Sequence, residues 1–132
     1  MKVGRVMKKV ITASMQDYLE VILNLNDHEE AVRVTDIAKK LDIAKASVNQ
    51  SINKLKKLGL VKQEVYGPVE LTEQGRKVAE DVRMKHNKLY NFLVNILGVD
   101  PQTAEKDACL MEHVVSEQTM IKLTEFLIKT EK

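Results

Sequence analysis

The sequence predicts a mainly α-helical chain interrupted by one small β-hairpin. Apolar residues recur at helical spacing through most of the 132 residues, and most of these runs open on a capping residue. Strand-like alternation occurs in one place, on either side of Tyr66-Gly67-Pro68. Aromatic residues make up only 4% and tryptophan is absent, so Leu, Ile, Val and Met must fill the core, a composition that favours helices.

Ser14 is placed to cap a first helix to about Asp27, with Asp17 in its first turn and Tyr18, Ile22 and Leu25 on one face. Thr35 opens a short second helix, Asp36 to Leu41, that turns Ile37, Ala38 and Leu41 inward. After a break at Asp42-Ile43, Val48, Ile52 and Leu55 give a third helix its apolar stripe, and Gly59 ends it. Leu60 to Val65 and Val69 to Leu71 then form the hairpin. This order of elements is that of a winged helix-turn-helix. Thr72 caps a fourth helix reaching about Leu97, roughly 26 residues and ~39 Å long, which Gly98 stops. Asp100-Pro101 supplies a cap and a first-turn proline for a fifth helix to about Val115. Ser116 caps a sixth, striped by Met120, Leu123 and Leu127.

With 44% hydrophobic and 30% charged residues, the composition is that of an ordinary folded domain. No apolar run approaches the ~18 residues of a membrane span, and the basic start, Met1 to Lys9, lacks the apolar stretch of an export signal. A single cysteine makes no internal disulfide and points to a reducing, cytoplasmic setting. The net charge of +2 hides an asymmetry. Residues 33–62 carry eight cations against Asp36 and Asp42, and residues 1–12 add four more, so the remainder is net acidic. A basic block suits a polyanion and an acidic remainder suits a cation.

The third helix is the candidate DNA reader. With its apolar stripe buried, Ala46, Ser47, Asn49, Gln50 and Asn53 face outward near its N-terminal end, where Asn or Gln can pair with adenine. Lys45, Lys54 and Lys57 flank that face as phosphate contacts, and Thr35 joins them from the second helix. The alternative is a merely solvated surface helix.

The candidate metal site centres on Cys109-Leu110-Met111-Glu112-His113. At helical spacing i, i+3 and i+4, Cys109, Glu112 and His113 share a face, and all three are donors to divalent transition metals. Three donors do not complete a shell. His86 on the fourth helix, and Asp17 and Glu20 one turn apart on the first, are candidates for the rest. Each also has a plainer reading: a helix cap for Asp17, a solvated charge for Glu20, a small buried apolar residue for Cys109, core hydrogen bonds for the histidines.

These residues resemble a known family, the metalloregulators that include the diphtheria toxin repressor and the manganese transport regulators. The resemblance runs from about Ser14 to Leu127. It rests on Ser14-Met15-Gln16-Asp17-Tyr18-Leu19-Glu20, Val34-Thr35-Asp36-Ile37-Ala38, Val48-Asn49-Gln50-Ser51, Leu71-Thr72-Glu73-Gln74-Gly75, Lys85-His86 and, most specifically, Glu105 through Val114. It implies a homodimeric repressor of double-stranded operator DNA, controlling metal-homeostasis genes and holding one or two Mn2+ or Fe2+ ions per subunit. The ligands it implies are Asp17, Glu20, His86, Cys109, Glu112 and His113. It divides the chain into a basic N-terminal extension (1–13), a winged helix-turn-helix DNA-binding domain (14–72) and a helical metal-binding and dimerisation domain (73–132).

The match is mixed. The iron type usually has Met where this chain has Asp17 but shares the cysteine at 109; the manganese type has Asp and Glu at 17 and 20 but a glutamate at 109. At the iron type's ancillary site, a histidine is replaced by Glu105 and a glutamate by Tyr90. The chain also ends before the iron type's SH3-like third domain would begin. Oxygen ligands at 17, 20 and 112 suit manganese, while the thiolate pulls towards iron, cobalt or zinc. Two rival classes are a metal-independent winged-helix regulator that uses Cys109 as a redox or ligand sensor, and a metalloenzyme built on Glu112 and His113. Against the enzyme, no general base or small-molecule substrate pocket is recognisable beyond the ligands.

Overall fold

The computed structural model describes residues 11–28 and 31–130, so the basic stretch from Met1 to Lys9 lies outside the described residues. The chain divides into two compact units, one ending at Glu80 and the other running from Asp81.

In the first unit, helix α1 spans Ala13–His28 and buries Tyr18, Leu19, Ile22 and Leu23. Its start is set by Thr12, whose hydroxyl accepts the Met15 N–H at 3.1 Å. Ser14, the expected cap, lies inside the first turn. Helix α2 (Val34–Leu41) begins two residues ahead of the expected Asp36. Asp36 sits at its third position, and its carboxylate accepts the Arg33 N–H at 2.9 Å, the carboxylate half of a capping box. Asp42 ends α2 in the left-handed region, with φ at 56°, a conformation Asp tolerates better than most residues.

Helix α3 (Lys45–Lys57) buries Val48, Ile52 and Leu55, the expected stripe. It closes in a Schellman motif. The Gly59 and Leu60 N–H groups donate to Lys56 and Leu55 carbonyls, each at 3.0 Å, with Gly59 at φ 75°. Leu55 and Leu60 both lie in the core, so the last turn is held by packing as well as by hydrogen bonds.

Strands β1 (Val61–Gln63) and β2 (Val69–Leu71) pair antiparallel, with Val61 opposite Leu71 and Gln63 opposite Val69. The left-handed residue of the turn is Tyr66, at φ 58°, and not the neighbouring Gly67. Val65 and Tyr66 stand almost fully in solvent at the tip. A third strand position, invisible in the alternation pattern, is Val32. It forms an isolated antiparallel bridge to Val69, with Val69 N–H donating to its carbonyl at 2.7 Å. One residue was too short a signal to be read as a strand.

Helix α4 (Glu73–Asn91) follows at once. The Thr72 hydroxyl caps it by accepting the Gly75 N–H at 3.1 Å while donating to the Gly59 carbonyl at 2.7 Å. Gly75 is required by contact: a Cβ there would lie 1.8 Å from the Leu60 carbonyl oxygen. Val78 and Ala79 of this first stretch pack into the same core as α1 to α3.

In the second unit the helix continues past Asn91, but its end (Phe92–Ile96) widens into a π-helical turn. Leu97 N–H reaches back five residues to the Phe92 carbonyl at 3.1 Å, and Gly98, at φ 75°, ends the run as expected. Asp100 caps helix α5 (Pro101–Met111), accepting from the Gln102 and Thr103 N–H groups. This helix ends earlier than the expected Val115: Glu112 is its C-cap, still right-handed, and the chain then turns. Ser116 caps α6 (Glu117–Thr130) through a 3.2 Å bond from Thr119 N–H. Leu89, Leu93, Ala104, Ala108 and Met120 form the core of this unit. Two small alanines on α5 allow close approach. Among the described residues, no helix is long and apolar enough to cross a membrane.

Candidate metal centre and DNA-reading face

On α3, Lys45, Ala46, Ser47, Asn49, Gln50, Lys54 and Lys57 are all exposed, as is Thr35 on α2. The buried stripe on the opposite side accounts for this. Because Val48, Ile52 and Leu55 are driven inward, the polar residues between them have no alternative to facing solvent. Helix α3 contains no acidic side chain, and Asp36 on α2 is half-buried and accepts the Arg33 N–H, while Asp42 between the two helices is exposed.

The donor cluster of the second unit is organised around His86. Helix α4 buries its ring, and each ring nitrogen meets a different carboxylate of the α5 region. Nδ1 lies 2.8 Å from Oε1 of Glu112, and Nε2 lies 3.0 Å from Oε1 of Glu105. The sulfur of Cys109 is 3.7 Å from Nδ1 and donates its proton to Oε2 of Glu105 at 3.6 Å. Hydrogen bonding to Glu112 raises the pKa of His86 to about 9; Glu105 adds to the rise and burial opposes it. At neutral pH the ring is therefore a cation whose two N–H groups donate to two carboxylates. The ring of Tyr90, one turn along α4, is stacked on it at 6.5 Å between centroids.

Glu112 is buried, and its Oε2 has no hydrogen-bond partner among the described residues. A buried, half-satisfied carboxylate is costly unless a cation completes it. Ligand atoms of Glu112 and His113 come within 4.8 Å of one another, as do those of His86, Glu105 and Cys109. Imidazole, thiolate and carboxylate together are a donor set for a divalent transition ion. The residues present fit such an ion.

Of the six expected ligands, His86, Cys109, Glu112 and His113 thus lie together in the second unit. Cys109 is exposed, which removes the reading of it as a buried apolar residue. Asp17 and Glu20 occupy α1 of the first unit, one turn apart and half-buried. Sequence reasoning undervalued Glu105. Its signal was available in the four-residue spacing from Glu105 to Cys109, which puts both on one face of α5.

A helix-turn-helix with a wing, followed by a helical unit bearing a histidine–cysteine–carboxylate cluster, defines a metal-responsive DNA-binding regulator. Residues 10–69 match the iron dependent repressor N-terminal DNA binding domain, and residues 72–132 match the iron dependent repressor metal binding and dimerisation domain. The chain belongs to the iron-dependent repressor family, whose members are transcriptional repressors and not enzymes. It is 35% identical over 120 residues to an HTH-type transcriptional regulator of Methanocaldococcus jannaschii, covering 90% of this chain and 96% of that one. It is 36% identical over 106 residues to the transcriptional regulator MntR of Escherichia coli, covering 80% and 68%. A solved manganese-dependent transcriptional repressor in complex with manganese superposes with a TM-score of 0.79 at 32% identity. That match covers 86% of this chain, which spans about half (52%) of the solved protein's length.

Proposed function

We propose that this protein is a cytoplasmic, homodimeric repressor that binds a palindromic operator when it holds Mn2+ or Fe2+, and so controls genes of metal homeostasis. The observation that carries the reading is the geometry at His86. Its Nδ1 faces Glu112 Oε1 at 2.8 Å and Cys109 Sγ at 3.7 Å, beside a buried carboxylate oxygen with no partner among the described residues. In this reading His86, Cys109, Glu112 and His113 are ligands from the helical domain, residues 73–132. Asp17 and Glu20 are ligands from the DNA-binding domain, residues 14–72. The family assignment and the one-turn spacing of Asp17 with Glu20 and of Cys109 with Glu112 and His113 support the set.

The ion would supply a positive centre that neutralises the buried carboxylate. The chain's own residues do the rest. Ligands drawn from both domains make metal affinity depend on how the domains are arranged, and a ligand shifts a conformational equilibrium only through such a difference. Dimerisation through the helical domain presents two α3 helices, one to each half of a palindrome. On that face Gln50, Asn49 and Ser47 read bases, while Lys45, Lys54, Lys57 and Thr35 hold phosphates.

The test is anaerobic operator binding, with manganese, ferrous iron, zinc and cobalt compared against metal-free protein. Tight binding restricted to loaded protein, with manganese or iron most effective, is the expected result. Equal binding with and without metal would overturn the proposal.

A further inference from the structure

We propose that Glu105 is a positioning residue for the metal ligands, holding the His86 ring through one carboxylate oxygen while its other oxygen takes the Cys109 thiol proton only until that sulfur ionises to coordinate. The inference rests on the reading of His86 and Cys109 as ligands and gives a role to a residue outside the six proposed ligands. Oε1 accepts the Nε2–H of His86 at 3.0 Å, and Oε2 accepts the Cys109 thiol proton at 3.6 Å. An imidazole points its two nitrogens in opposite directions. Engaging Nε2 therefore fixes the ring so that Nδ1 faces Glu112 and Cys109, beside the buried oxygen of Glu112 that has no partner among the described residues. A carboxylate on the far nitrogen also fixes the tautomer that leaves Nδ1 free to coordinate, and makes that nitrogen a stronger donor.

Glu105 meets the ring from the side opposite Glu112. The Glu105 side chain is 58% exposed, whereas that of Glu112 is fully buried and that of His86 is 11% exposed. Glu105 therefore grips the ring from the solvent edge, and the buried carboxylate of Glu112 lies on the other side. Its place is set by α5. Glu105 stands four residues before Cys109 on a helix anchored at its start by the Asp100 cap and Pro101. Ala104 and Ala108, both buried, press that helix against its core, so Glu105 and Cys109 emerge side by side from it.

The experiment is an anaerobic cobalt titration of the full chain, read by d–d absorption and by the thiolate-to-cobalt charge-transfer band. Wild type, Glu105→Ala, Glu105→Gln and His86→Gln are compared. Glu105→Ala should weaken cobalt binding by about 10–100-fold at unchanged stoichiometry and with the charge-transfer band retained. Glu105→Gln, whose amide oxygen still accepts from Nε2–H, should recover most of that loss. Loss of one cobalt per chain in Glu105→Ala would make Glu105 a ligand and overturn the proposal, as would an unchanged affinity. The underlying ligand reading fails differently: wild type would lack the charge-transfer band, or His86→Gln would bind cobalt like wild type.

Discussion

Nδ1 of His86 donates a 2.8 Å hydrogen bond to Oε1 of Glu112, one ring cation set against one buried carboxylate. A divalent ion held by His86 and Glu112 would have to displace that proton. Proton and metal therefore compete, and the competition has a sign at each pH.

His86 holds its proton up to about pH 9. Below that value, apparent metal affinity should rise by about tenfold per pH unit from this group alone, levelling off above it. Stability of the metal-free protein should move the other way. A folded-state pKa raised above 6.5 contributes stability that is fully present below pH 6.5 and is lost as pH climbs to about 9. Cobalt titrations and urea unfolding of metal-free wild type and His86→Gln, each from about pH 6 to 9, measure both slopes. A pH-independent affinity would remove His86 from the ligand set.

Metal preference should turn on Cys109. Replacing the thiolate by a harder donor, Cys109→Glu, is expected to shift activation towards manganese relative to ferrous iron. His113→Ala should abolish metal-dependent operator binding while leaving the dimer intact. Anaerobic operator titrations with both metals, paired with sedimentation of each variant, give the answer. An unchanged iron-to-manganese ratio in Cys109→Glu would mean that the sulfur does not coordinate.

The proposed function puts base reading on the first turns of α3. Gln50→Ala should cost about 1–3 kcal/mol at one base pair and relax the preference there. Lys57→Ala should weaken all sequences alike and reduce the salt slope by about one. Competition binding against operators mutated one base at a time distinguishes the two patterns.

The contact between α4 and the end of α3 makes a sharp stability prediction. Gly75→Ala would force a methyl group to within 1.8 Å of the Leu60 carbonyl oxygen, so the backbone must move and the loss should be about 3 kcal/mol or more. Gly98→Ala meets no neighbouring atom and strains only a φ of 75°, for a loss of about 1–2 kcal/mol. Urea midpoints of the two variants should differ accordingly.

Much of this architecture was legible in the residues. Val48, Ile52 and Leu55 announced the buried side of α3 and therefore the outward face of Ser47, Asn49 and Gln50. Thr72, Asp100 and Ser116 announced helix starts, because each offers a side-chain oxygen where backbone N–H groups lack partners. What stayed hidden depended on contacts between segments distant in sequence. Val32 pairs with Val69 across the whole of α2 and α3, and no local pattern encodes that. The early end of α5 was missed because Met111, Val114 and Val115 keep a helical apolar spacing through residues that turn. Glu105 read only as the replacement for an ancillary-site histidine until His86, nineteen residues earlier, was placed against it.

Thr72 also closes a loop. Its hydroxyl donates to the Gly59 carbonyl, and its N–H donates to the Leu60 carbonyl at 3.0 Å. The wing thus leaves and rejoins the domain at a single sealed base. The strands themselves are tied in further, because Val61 and Val69 lie in the core and Val69 pairs with Val32, so what projects beyond the base is the exposed tip. That tip, at Val65 and Tyr66, can lengthen, shorten or change chemistry while the pose of α3 stays put, so that the reach of the protein along a groove and the base sequence it reads there can diverge independently.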